Sequence, residues 1–169
     1  MPEFCLDTLP YLEKLPSQTQ HDYLLDLPTG ADKALQDLCS QTWRGLFLTL
    51  DYGLNLVQFL EERPEGVART YRRHRLSGDL IAHPCNQDIT CHVCWDTLWN
   101  ILHENGFREI FVERQEAFFV RHASSVAEAI ATAKPGTFDT DRQTLLEILH
   151  PGNMGTKFQA FGGVRDKTA

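Results

Sequence analysis

The apolar positions of "ADKALQDLCSQTW" fall at Ala31, Leu35, Leu38 and Cys39 with polar residues between them. That spacing predicts a helix with one face turned to a core. After Gly45, "LFLTLDYG" is a short apolar run with Thr49 inside it and a break at Gly53, the pattern of a buried strand covered on both faces. Residues 54–87 are irregular, punctuated by Pro64, Gly66, Gly78 and Pro84; "LNLVQFLEE" predicts a short amphipathic turn and "VARTYRRHR" an extended edge. Order resumes at Asp88. "DITCHV" reads as a short β-branched strand, and "WDTLWNILHENG" as a helix with Trp95, Leu98, Trp99 and Leu102 at helical spacing and Asn105–Gly106 as its stop. "FREIFVE" alternates like a strand, "RQEAFFVRHA", "SSVAEAIATA" and "DTDRQTLLEILH" carry helical patterns, and "KFQAFGG" closes the chain as a last strand. Alternating helices and strands predict an α/β fold in one unit, with residues 1–29 as an irregular opening and 163–169 as a tail.

Composition narrows the function classes. A chain of 169 residues, 42% hydrophobic and 23% charged, can bury an ordinary single core. No apolar run approaches the roughly 20 residues that span a bilayer, and the acidic, proline-broken start "MPEFCLDTLPYLEKLP" resembles neither a secretory signal nor a transit peptide. The expectation is a cytoplasmic location, or the mitochondrial matrix in a eukaryote, with no membrane partner. A net charge of −7 speaks against general nucleic-acid binding, which needs cations to displace counterions from phosphate. The local exception, "RTYRRHR" at 69–75, reads first as a solvated edge pairing with the chain's own carboxylates and second as a substrate or partner contact.

Chemistry-bearing residues concentrate in "HPCNQDITCHVCWDTLW", residues 83–99. His83 with Cys85, Cys91 and Cys94 could make a compact zinc set, but the second ligand pair typical of a structural zinc site is missing. "CHVC" precedes a helix, as a redox dithiol does, yet it follows a long loop rather than an early strand. The favoured reading is cysteine as a small apolar residue, with no metal bound and, given five cysteines and no signal peptide, no disulfide framework. No G-x-S-x-G, H-E-x-x-H or P-loop is present.

Five ordered blocks, "LTLDYG", "GVARTYRRHR", "QDITCHVCW", "RQEAFF" and "HPGNMGTKFQAF", resemble the MidA-type S-adenosylmethionine-dependent methyltransferases, to which the mitochondrial complex I assembly methyltransferase belongs. The likeness spans about residues 20–162 and is most specific in D-I-T-x-H-V. Departures occur at Cys85, at Cys94 and at Gly66–Val67–Ala68, where the family has Pro-Gly, Asp and Gly-Thr-Leu. Two of the cysteines thus stand where the family does not use cysteine.

The resemblance implies a class I, Rossmann-like methyltransferase fold with a mixed sheet and an antiparallel last strand. It implies S-adenosylmethionine as cofactor and a protein arginine as acceptor. No G-x-G loop precedes Gly53, so residues 30–162 correspond to strands five to seven and their helices, and the cofactor-binding residues are not expected in this chain. The missing amino-terminal half of the fold is then the first expected partner and a protein substrate the second. A second reading is a non-catalytic remnant or split-gene product that acts by binding; a third is a zinc module. By resemblance, Asp51, Tyr52 and Gly53 line the substrate side of the cleft, and Asp88, Thr90 and His92 orient or deprotonate the acceptor. A carboxylate or imidazole suits that task because a protonated guanidinium is a poor nucleophile. His74 is a weaker cleft candidate; Gln115 and Phe118–Phe119 read as a hydrogen-bonded turn and core.

Overall fold

The computed structural model describes residue 15 and residues 23–132 and 140–166. Helix α1 (Thr29–Cys39) leads into strand β1 (Gly45–Asp51), followed by β2 (Gly53–Leu54) and helix α2 (Leu56–Glu61). Three short strands, β3 (Arg69–Arg72), β4 (Arg75–Ser77) and β5 (Asp88–Thr90), precede β6 (Val93–Cys94) and helix α3 (Trp95–Glu104). Strand β7 (Arg108–Arg114) feeds helices α4 (Gln115–His122), α5 (Ser124–Thr132) and α6 (Thr140–Leu149). A π-helical turn (Pro151–Gly155) delivers the chain to β8 (Gln159–Arg165).

The principal sheet has the order β1-β8-β7, with β8 antiparallel to both neighbours, so β1 and β7 run the same way. The last strand inserts between two earlier ones and is antiparallel to both, as expected of the last strand, but every pairing in this sheet is antiparallel, so among the described residues the sheet is not the mixed one expected. Smaller sheets pair β2 with β6 in parallel and arrange β4-β3-β5 antiparallel.

The main core lies between this sheet and the helix pair α1 and α3. Leu35 and Cys39 meet Trp95, Leu98, Ile101 and Leu102 over Phe107 and Phe161. Leu102 and Phe161 are wholly excluded from solvent, each contributing on the order of 1.5–3 kcal/mol from burial. Polar ties fix the packing: Thr97 Oγ1 donates to Asp32 Oδ1 at 2.7 Å, joining α3 to α1. Arg165 is buried, and its guanidinium donates to the carbonyls of Cys39, Gln41 and Trp43 while stacking on Trp43 and Phe107. It thus satisfies the orphan carbonyls at the end of α1.

Several expectations are corrected. Leu38 is exposed, because the buried arc of α1 centres on Leu35 and Cys39. Trp99 is 39% exposed and stacks on His103 along the outer side of α3. Strand β1 is not covered on both faces: Phe47 packs on the core, while Leu46 and Leu48, pointing the opposite way, are exposed. Strand β3 is the centre of its sheet rather than an edge. "DITCHV" divides into β5 and β6 with Cys91–His92 between them. Residues 163–165 are strand, not tail, because Arg165 must reach the end of α1. Thr29 already begins α1, and of the preceding opening segment residues 1–14 and 16–22, Cys5 included, lie outside the described residues. Among the described residues no helix is long and apolar enough to cross a membrane.

Candidate functional site

A pocket of about 550 Å³ opens beyond the carboxyl end of β1. Tyr52, Gly53 and Leu54 form one wall, Arg69 and Tyr71 of β3 with Thr90 and His92 form another, and Thr156 and Lys157 from the turn before β8, with Gln159 at its start, close it; Gln58 and Val67 complete the lining.

Local sequence chemistry explains how these groups meet. Asn55 caps α2 through a reciprocal pair, its Oδ1 accepting from Gln58 N and Gln58 Oε1 accepting from Asn55 N. The cap turns the chain sharply after β2, so Gly53 and Leu54 pair with Val93 and Cys94. Val93 N donates to Tyr52 O at 2.9 Å, which brings the Tyr52 and His92 rings to 6.3 Å between centroids. Tyr52 is braced from behind by Phe158 at 4.0 Å. Gly53 has a steric reason: a Cβ there would lie 2.0 Å from the Trp95 indole. That indole N–H donates to Gln159 Oε1 and so holds the third wall.

Below the pocket, Leu54, Phe59, Val67 and Cys94 form a second apolar cluster. Asp26 Oδ2 accepts from Val67 N at 2.6 Å and Ala68 N at 2.9 Å, fixing the loop that carries Arg69. The loop needs Gly66, whose φ is +82° and whose Cβ position would fall 2.6 Å from Asp26 Oδ2. Arg69 Nη1 then donates back to the Gly66 and Ala68 carbonyls.

His92, in the pocket wall, has a lowered pKa. Burial pushes it below the ordinary histidine value of 6.5; the Arg63 and Arg69 charges add to that, while a Val67 backbone contact and the Asp51 carboxylate partly oppose it. The imidazole is therefore neutral at pH 7 and able to accept a proton. Asp51 acts on it through charge, its own Oδ1 being engaged by Tyr52 N at 2.7 Å.

Of the residues expected from the sequence, Tyr52, Gly53, Thr90 and His92 come together in this pocket, and Asp51 stands behind it. Asp88 and His74 do not line it. Asp88 is exposed on β5, opposite Tyr71, and His74 is exposed in the β3–β4 turn with φ +62°. Lys157, Thr156 and Gln159 were not anticipated as site residues, although "GTKFQAF" was among the resembling blocks. Arg69 lay inside the basic run, where nothing distinguishes the one inward arginine from its exposed neighbours.

Cys94 is buried in the lower cluster and Cys85 is exposed, and among the described residues no three His, Cys, Asp or Glu side chains gather as a metal site. Burial raises the Cys91 and Cys94 thiol pKa values, the reverse of what a reactive dithiol needs. An adenosyl cofactor calls for bare backbone at a strand-to-helix turn. Gly53, the glycine in the pocket lining, leaves no such open backbone, because the Trp95 indole fills the space beside it. The pocket lining offers a neutral imidazole, two tyrosine rings, hydroxyls, amides and the Arg69 and Lys157 cations around an open volume.

No curated protein matches the chain. Two solved structures from Burkholderia thailandensis share its fold. One, an uncharacterized superfamily protein, superposes with a TM-score of 0.77 at 20% identity over 90% of this chain and 41% of its own. The other, a member of the same superfamily bound to S-adenosyl-homocysteine, gives 0.76 at 20% identity over 90% and 40%. The chain thus spans about two fifths of the length of either. A family model matches residues 6–113, more than half of the sequence, and the chain belongs to the family it describes, "Putative S-adenosyl-L-methionine-dependent methyltransferase".

Proposed function

We propose that this chain forms the acceptor side of a S-adenosylmethionine-dependent methyltransferase of the MidA type acting on a protein arginine. The observation that carries the reading is the convergence of Tyr52, Thr90 and a neutral His92 on one pocket at the carboxyl end of β1, the place where open α/β sheets hold their ligands. In this reading β1, β7 and β8 are the fifth, sixth and seventh strands of a class I methyltransferase sheet, and the glycine-rich cofactor cradle belongs to another portion of the enzyme. The family match and the length of the two Burkholderia structures support it.

S-adenosylmethionine, when bound, supplies an electrophilic methyl group. This chain's residues orient the acceptor and take its proton. Moving a proton fully from a free guanidinium to an ordinary histidine costs about 8 kcal/mol, from pKa values near 12.5 and 6.5, and the lowered pKa of His92 adds to that. His92 therefore accepts the proton as the new N–C bond forms, not beforehand. Tyr52 and Tyr71 in the lining offer ring faces to a guanidinium, and Asp51 favours the imidazolium as it forms.

Purified from its own host with any chain that accompanies it, the protein should bind S-adenosyl-homocysteine by calorimetry and methylate arginine in a protein fraction, read by mass spectrometry. A preparation that does neither overturns the reading.

A further inference from the structure

The pocket wall holds two permanent cations, Arg69 and Lys157, and no carboxylate. The chain as a whole is the opposite, with 23 acidic against 16 basic residues, so the inversion is local. Among the described residues neither cation has an acidic partner. Arg69 is half-buried, with Nη1 held by the Gly66 and Ala68 carbonyls and its remaining donors unengaged. A guanidinium withdrawn from water is ordinarily compensated by an anion. A cationic acceptor entering alone would meet two like charges.

We propose that the acceptor segment carries a carboxylate side chain next to the residue to be methylated, and that Arg69 and Lys157 hold that carboxylate. Arg69 presents its free donors from β3 while Lys157 adds a point charge from the turn before β8. The substrate class is thus an acidic-flanked segment, and these two residues set specificity rather than carry out chemistry. The inference rests on the pocket being the acceptor site. The same anionic chemistry could come from the amino-acid carboxylate of the cofactor, and the experiment separates the two sources.

The ¹⁵N-labelled full chain is titrated with N-acetylglutamate α-amide, with its uncharged counterpart N-acetylglutamine α-amide, and with S-adenosyl-homocysteine, following the backbone amides of Thr90, His92 and Thr156. The glutamate amide should move these signals and the glutamine amide should not. Its affinity should fall at least about five-fold in R69Q and in K157Q and stay unchanged in K33Q, a lysine exposed on α1. Lys157 is exposed, so K157Q keeps the test alive if R69Q does not fold. Equal response to both amides, equal loss in K33Q, or displacement of the glutamate amide by S-adenosyl-homocysteine overturns the proposal. No methyl transfer enters the measurement, so its failure is distinct from failure of the methyltransferase reading.

Discussion

The Trp95 indole N–H donates to Gln159 Oε1, linking the first turn of α3 to the first residue of β8 across the floor of the pocket. The same indole fills the space that a side chain at Gly53 would need. One aromatic residue therefore sets the spacing between the β1–β2 wall and the β8 wall. Gly53→Ala should destabilise the protein by about 1–3 kcal/mol through overpacking, measured by urea unfolding. Trp95→Phe, which relieves the clash but loses the hydrogen bond, should partly rescue Gly53→Ala; strictly additive effects would contradict the shared-space account.

Arg165→Lys is expected to cost about 2–4 kcal/mol. An ammonium cannot reach the carbonyls of Cys39, Gln41 and Trp43 together and lie flat on Trp43. A change under about 0.5 kcal/mol, the range of ordinary surface substitutions, would show that the guanidinium is not the tie between β8 and the end of α1.

Acid sensitivity follows from His92. Its folded pKa lies below the unfolded value of 6.5, so the unfolded chain takes up this proton first as pH falls. The resulting stability is fully present above pH 6.5 and is lost as pH drops through the folded pKa. Stability of the parent should therefore fall from pH 7 to 5 more steeply than that of His92→Gln, and the imidazole signals should titrate below 6.5. Parallel profiles would contradict the buried, neutral assignment.

Strand β1 has β8 on one side and, among the described residues, no partner on the other, with Leu46 and Leu48 exposed beside it. Such an edge favours association. Sedimentation velocity should show concentration-dependent self-association of the chain that Leu48→Lys suppresses. Identical monomeric profiles for both proteins would show that this edge is protected.

Periodicity alone located α1, α3, α4, α5, α6 and the three strands of the principal sheet, because long elements pack through a repeated face. It misjudged rims and edges: Leu38 and Trp99 fit the helical spacing but fall outside the arc that meets a neighbour. The exposed side of β1 could not be read from "LFLTLDYG", since an apolar run looks the same whether or not something covers its second face. At the site, Thr90 and His92 of the D-I-T-x-H-V block line the pocket, while Asp88, at the exposed start of β5, is not among the lining residues. Lys157 and Gln159 reach the pocket only because β8 returns beside β1, a long-range pairing that no local pattern announces.

As proposed, His92 takes the acceptor's proton as methyl transfer occurs. The most direct measurement is the initial rate of tritium transfer from S-[methyl-³H]adenosylmethionine to protein, using the preparation from the native host and its His92→Gln and Asp88→Asn variants, each shown to be folded. His92→Gln should lose about 10²–10⁴-fold and Asp88→Asn should change by less than about three-fold, because Asp88 is not among the lining residues. A His92→Gln rate equal to the parent's would contradict that role for His92.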